Sequence, residues 1–337
     1  MQNQMLSCFF PTTVVFIDDN SNYLTGLLSS INMQHIVPKL FSNPIEAVQF
    51  INHQHGLLQS AIFTPLDDQP ADHVGFDINI RDFHQKLLAP NKRRFNELTV
   101  VVCDYAMPQK NGLEVLQEIK NIELKTIMLT GEADELLAVA AFNRGLIDHF
   151  LCKGSSNFTQ TLNNTILGLQ QDYIARATGL MVSNIILGKL PHSSALADPV
   201  FIQLFESIKQ KHHIVEYYLL DEQGSFLLLT LTGQAYFLAV LNTAALESFM
   251  QFAIDEDAPE SVIKPMAAKT ELPFFYSEED FNTPPHDWAP YLYPTQVLSG
   301  SETYYYSLIP VPQIYLPIIK PGQTYQHFLE FTHLARK

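Results

Sequence analysis

Over the first 155 residues, short apolar runs alternate with amphipathic stretches. Thr13 to Asp19 is continuous in Val, Phe and Ile, the pattern of a strand covered on both faces. Ser21 to Ile31 places Leu24, Leu27, Leu28 and Ile31 on one helical face. A second strand spans Ile36 to Phe41. Ser42-Asn43-Pro44 then opens a helix over Ile45 to His53, with proline at its first turn. After an interruption, Leu98 to Cys103, Thr126 to Leu129 and His149 to Cys152 read as strands. Gly112 to Lys120 and Ala133 to Asn143 read as the helices between them. Five βα units predict a doubly wound α/β domain with a five-stranded parallel sheet, of the flavodoxin-like order 2-1-3-4-5, over residues 12–156.

The interruption, about 55–99, contains Pro65, Pro70 and Pro90 and a basic cluster at Lys92-Arg93-Arg94. A stretch this long without a clear period is an insertion, with a short helix around Arg81 to Leu88. Its basic cluster reads as a solvated face before it reads as a nucleic-acid site. A long helix follows from Asn157 to Asn184, its apolar stripe running through Leu162, Ile166, Leu169, Tyr173 and Ala177. It is the fifth helix of the first domain extended into a linker, 157–188. Its stripe suits either core or a dimer seam.

From Asp198 the pattern changes. A helical Phe201 to Ile208 precedes three closely spaced apolar segments, Val215 to Leu220, Ser225 to Leu231 and Ala235 to Leu241. The turn signals Glu222-Gln223-Gly224 and Thr232-Gly233-Gln234 separate them. That is an antiparallel meander. With a helix at Ala244 to Ile254 and a strand at Thr303 to Leu308, it makes residues 190–337 a smaller α+β domain. The rings of Phe274, Phe275, Tyr276, Trp288, Tyr291, Tyr293 and Tyr304-Tyr305-Tyr306 form either its core or a binding groove, and core is the simpler reading.

Composition narrows the class. The net charge is −15, which offers nucleic acid no global attraction. Residues 187–337 hold 17 acidic against 8 basic side chains. No apolar run approaches the ~20 residues that span a bilayer, and the first ten residues lack the basic start of a signal peptide. Three cysteines, Cys8, Cys103 and Cys152, do not make a disulfide framework. A cytoplasmic protein without membrane association is expected.

The chemistry sits at strand ends. Asp18 and Asp19 end the first strand and Asp104 the third, and these strands are neighbours in the expected sheet. Three converging carboxylates call for a cation, and hard oxygen ligands favour Mg²⁺. Thr130 ends the fourth strand with a hydroxyl, and Lys153 ends the fifth with an ammonium. A carboxylate among a metal, a hydroxyl and an ammonium is suited to phosphoryl transfer.

The segments Val14-Val15-Phe16-Ile17-Asp18-Asp19-Asn20, Asp104-Tyr105-Ala106-Met107-Pro108 with Gly112, Leu129-Thr130-Gly131 and Phe150-Leu151-Cys152-Lys153 resemble the receiver domain of two-component response regulators. The resemblance covers about residues 12–175. It implies that Asp104 accepts a phosphoryl group from a histidine kinase or phosphotransfer protein. It implies Mg²⁺ held by Asp18, Asp19, Asp104 and the carbonyl of Ala106. Thr130 and Lys153 would bind the phosphoryl group, and Phe150 would be the aromatic switch. The chain departs from the family in Gly154, where a proline usually follows the lysine, and in the 55–99 insertion.

The second half carries no helix-turn-helix, GGDEF, EAL, P-loop, HExxH or CxxC pattern. A phospho-accepting regulator rather than an output enzyme is expected, with homodimerisation as one consequence of phosphorylation. The output is then either a protein-interaction module or a nucleotide- or nucleic-acid-binding one. The whole-chain plan is similar to that of quorum-sensing response regulators.

Overall fold

A computed structural model describes residues 5–58, 87–88, 93–108, 110–131, 135–187, 195–312, 315 and 324–332. The chain divides into two compact units. The described residues 9–58, 87–179 and 325–332 belong to one, and 5–8 and 180–324 to the other.

In the first unit, strands β2 (Thr12–Ile17), β3 (Ile36–Phe41), β4 (Leu98–Asp104), β5 (Lys125–Thr130) and β6 (His149–Cys152) form a parallel sheet of order β3-β2-β4-β5-β6. This is the topology that the hydrophobic pattern predicts. β2 and β4 are buried along their whole length, because helices cover both faces of the central strands.

The helices start where their caps stand. Asn20 accepts hydrogen bonds from the backbone of Asn22 and Tyr23 to begin α1 (Ser21–Leu28). Asn43 caps α2 (Pro44–Asn52), with Pro44 in its first turn. Asn111 and Glu114 form a reciprocal capping box at α3 (Gly112–Gln117). α4 spans Glu135–Asn143. The long helix α5 (Phe158–Leu187) runs unbroken through Gly179. Its stripe Leu162, Ile166, Leu169 and Tyr173 is buried and belongs to the core of this unit. Gln170 fastens the helix to the sheet, donating to Thr12 Oγ1 at 2.8 Å and to the His35 carbonyl at 2.9 Å.

Most of the 55–99 insertion, including all of the expected Arg81 to Leu88 helix except Leu87 and Leu88, lies outside the described residues. Its edges are held by the buried Glu97, whose carboxylate accepts from Leu57 N–H at 2.5 Å and from Tyr173 Oη at 2.9 Å. Within the basic cluster, Arg94 differs from the solvated face expected of it. It is 1% exposed, with its guanidinium 4.2 Å from the Phe95 ring centre. The short helix α10 (Tyr325–Phe331) returns the chain to this unit: Tyr325 Oη donates to the Met33 carbonyl at 2.7 Å, and its ring meets Phe95.

The second unit is built on a six-stranded sheet of order β1-β7-β8-β9-β13-β12, with β1 at Cys8–Phe9, β7 at Ile214–Leu219, β8 at Phe226–Thr230, β9 at Ala235–Asn242, β12 at Gln296–Ser299 and β13 at Thr303–Pro310. β7, β8 and β9 are the expected antiparallel meander, and β13 pairs antiparallel with β9. Strands β10 (Glu271–Pro273) and β11 (Leu292–Pro294) pair separately. Helices α6 (Pro199–Lys211), α7 (Thr243–Asp255), α8 (Glu260–Ala267) and α9 (Glu278–Phe281) complete it. Trp288, Tyr304, Tyr305 and Phe275 are buried, and the Phe275 ring packs tilted against Trp288, 4.9 Å between centres. These rings are core.

One carboxylate ties two parts of this unit together. Asp198 caps α6 through Val200 N–H at 2.8 Å. Its other oxygen accepts from Ser301 N, Ser301 Oγ and Tyr304 Oη at 2.6, 2.7 and 3.0 Å. Gly300 allows this approach, since a Cβ there would lie 2.2 Å from Asp198 Oδ2. Burial pushes the carboxyl up, but the hydrogen bonds outweigh it and hold Asp198 below the usual range. The stability it contributes is therefore present at neutral pH and is lost as pH falls through that depressed value.

Asp198→Ala should destabilise the second unit by about 2–4 kcal/mol, measured by urea unfolding, because it removes a helix cap and charge-assisted bonds together. Gly112→Ala should destabilise the first unit by about 1–3 kcal/mol, because its Cβ would meet the Asp104 carbonyl oxygen at 2.3 Å and Met128 Sδ at 2.8 Å. Unchanged unfolding midpoints in the two variants would contradict these assignments.

Candidate functional site

Strands β2, β4, β5 and β6 bring their carboxyl ends to one crevice. Side by side in register, Ile17 pairs with Cys103, Asp104 with Leu129, and Thr130 with Cys152. The residue that ends or follows each strand therefore faces a common space. The loop beyond β4 is pinned by Tyr105 N–H to the Leu129 carbonyl and Gly112 N–H to the Tyr105 carbonyl, both 2.9 Å. Lys153 N–H donates to the Thr130 carbonyl at 3.0 Å.

Asp18, Asp19 and Asp104 offer carboxylate oxygens that all lie within 4.8 Å of one another. Asp18 and Asp104 are buried, and Asp19 is exposed. Lys153 Nζ bridges the buried pair, 2.6 Å from Asp18 Oδ2 and 2.7 Å from Asp104 Oδ1. Burial pushes the Asp104 carboxyl above its ordinary value, and Lys153 opposes that without cancelling it. For Lys153, desolvation favours the neutral amine, but hydrogen bonds to Asp104 and Asp18 overcome it and hold the ammonium above its usual range. The set of three hard oxygen donors, one of them solvent-facing, fits a divalent cation such as Mg²⁺ that keeps part of its water shell.

The remaining expected residues are placed as follows. Thr130 is 1% exposed, and its hydroxyl has no hydrogen-bond partner among the described residues. Ala106 is exposed in the loop two positions beyond Asp104. Phe150 is half-buried on β6, its ring 6.2 Å edge-on from Phe142 of α4. A Cβ on Gly154 would meet only Cys152 Sγ at 4.0 Å, so no close packing requires glycine there. Cys103 is fully buried, and burial pushes its thiol far up, which makes it packing rather than a nucleophile.

The sequence reading missed Tyr23. Its ring lies beneath Lys153, with Nζ 4.3 Å from the ring centre. Its buried hydroxyl has no partner among the described residues. The signal available was an aromatic residue in the first turn of α1, directly after the Asp18-Asp19 strand end. The Leu24, Leu27, Leu28 and Ile31 stripe by which that helix is recognised does not include it.

Comparison with known proteins agrees with this geometry. Residues 73–160 match the family model for the response regulator receiver domain. Among solved structures, the Legionella pneumophila response regulator LqsR is 29% identical with a TM-score of 0.74, covering 98% of this chain and 97% of its own. A CheY-like receiver domain protein from Methanospirillum hungatei is 14% identical with a TM-score of 0.32, covering 48% of this chain and 96% of its own. Comparison with curated protein sequences gives no significant match. No helix among the described residues is long and apolar enough to cross a membrane. The LqsR likeness extends over both units, whereas the family model addresses the first. The parallel-sheet unit, with its acidic crevice at the carboxyl ends of the strands, is the receiver domain of a two-component response regulator.

Proposed function

We propose that Asp104 is the phospho-acceptor of this regulator and that its partner is a histidine kinase or phosphotransfer protein. The observation that carries the reading is the bridging of two buried carboxylates, Asp18 and Asp104, by the ammonium of Lys153. A carboxylate oxygen of Asp104 would attack the phosphorus of a phosphohistidine. The new P–O bond forms as the P–N bond breaks, and the imidazole leaves with the electron pair. Asp18, Asp19 and Asp104, with the Ala106 carbonyl, would hold Mg²⁺, which supplies charge neutralisation for the phosphoryl oxygens. Lys153 would exchange its contact with the Asp104 carboxylate for a phosphoryl oxygen. The partnerless Thr130 hydroxyl would donate to another.

A hydroxyl drawn toward the new group vacates space beside β5, and Phe150 would move into it. The phosphoryl charge would thereby bias the packing of α4, β6 and α5. Homodimerisation through that face is the proposed readout. The acidic balance of residues 187–337 favours a protein partner for the output over a phosphate backbone.

Labelling by acetyl phosphate should require Mg²⁺ and should vanish in Asp104→Asn. Label persisting in that variant, at a stoichiometry near that of the parent chain, would sink the assignment. Tyr23→Phe keeps a ring face under Lys153 and Tyr23→Leu removes it. In carbon-proton spectra, the Lys153 Cε resonance should lose its ring-current shift in Tyr23→Leu and keep it in Tyr23→Phe. The labelling rate should fall roughly fivefold in the leucine variant, equivalent to about 1 kcal/mol. Equal Lys153 shifts in both variants would remove Tyr23 from this role.

A further inference from the structure

In the second unit, a cavity of about 390 Å³ opens between the meander and α7. Its floor is the β9 segment Ala239, Val240 and Leu241, and one wall is Ala244, Ala245, Ser248 and Phe249 of α7. Phe274, Phe275 and Phe281 add an aromatic lining, with the Phe275 ring 6.1 Å from that of Phe249. Ala244, Ala245 and Ser248 of α7 leave a slot beside these rings, and its volume is of the size that holds a small organic ligand.

The polar end of the slot comes from the β7–β8 turn. Asp221 and Ser225 are there, but their hydrogen bonds are largely internal. Asp221 Oδ1 accepts from Gln223 N–H at 2.9 Å and Ser225 N–H at 3.0 Å. Ser225 Oγ accepts from Val240 N–H at 3.0 Å. Gln223 Oε1 is different: it is shielded from solvent and has no hydrogen-bond partner among the described residues. A buried acceptor left unpaired costs free energy that a donor entering the slot would recover.

Charge restricts the donor's chemistry. Among the described residues, the lining holds no lysine, arginine or histidine, and its one ionisable group is the Asp221 carboxyl. Burial of that carboxyl pushes it above its ordinary value, so the polar end disfavours negative charge. A phosphate or sulfonate would meet no counter-charge among these residues, which favours an uncharged ligand over a nucleotide.

We infer that this cavity is a binding site for an uncharged, largely apolar small molecule that carries a hydrogen-bond donor for Gln223 Oε1. The hydrocarbon or aryl part lies between α7 and the Phe274–Phe275 wall, and an N–H or O–H reaches the turn. Binding there would add a small-molecule input on the output side of the regulator, separate from the acidic crevice of the receiver.

The probe is N-phenyl-naphthylamine, an uncharged fluorophore with one N–H, added to the full chain. Saturable one-to-one fluorescence enhancement is expected. The sulfonated counterpart, anilinonaphthalene sulfonate, should bind at least about tenfold more weakly. Ala245→Phe fills the slot and should abolish the enhancement. If that variant does not fold, as judged by circular dichroism, Ser248→Phe on the exposed side of α7 decides the same point. Gln223→Leu keeps the apolar walls and should weaken the probe about fivefold. Absence of saturable binding to the parent chain, equal affinity for the sulfonate, or indifference to the slot-filling variant would each overturn the assignment.

Discussion

The receiver depends on one electrostatic constraint. Two buried carboxylates, Asp18 and Asp104, stand close enough to repel, and a single ammonium, Lys153, sits on both. Without that bridge, two desolvated negative charges would share a crevice, which is costly enough to force protonation or rearrangement. The sheet order exists in part to satisfy it. Asp18 follows β2, Asp104 ends β4 and Lys153 follows β6, so the three meet only because these strands run parallel and share one carboxyl end.

The same bridge sets what can change. Lys153 lies beside Gly154, where a Cβ would meet only Cys152 Sγ at 4.0 Å. Its backbone is held by the Thr130 carbonyl, and its side chain by two carboxylates and the face of Tyr23. Thr130 waits nearby with a hydroxyl that no described residue satisfies. The crevice thus combines a bridging ammonium, a hydroxyl without a partner among the described residues and an exposed third carboxylate. Burial raises the Asp104 carboxyl, and Lys153 only partly offsets it.

The second unit solves its stability problem differently. Its core is aromatic and its strands are antiparallel, and polar anchors such as Asp198 join elements far apart in sequence. The rings around Trp288 pack against each other and against α7. Where α7 offers alanine and serine instead of large side chains, that packing stops and a slot remains. Its polar end, with the unpaired Gln223 Oε1 and no lysine, arginine or histidine among the described lining residues, gives the slot a chemistry unlike that of the acidic crevice.

The amino-acid sequence by itself determined the five βα units, their parallel order and the residues of the acidic crevice. Those features are local: a doubly covered strand must be continuously apolar, a helix must begin at a cap, and strand-end residues inherit their meeting point from topology. The antiparallel meander was legible for the same reason, through its turn residues. Tertiary structure alone decided the rest. Tyr23 came to lie under Lys153, and Arg94 was buried against Phe95 instead of solvated. The C-terminal helix packed against Phe95 of the first unit, and the short strands β1, β10 and β11 found partners. None of these has a sequence period to announce it, because each depends on which distant surface happens to be opposite. The acidic crevice was legible because its residues share one sheet end, whereas the hold on its central lysine was set by a neighbour that only folding brings there.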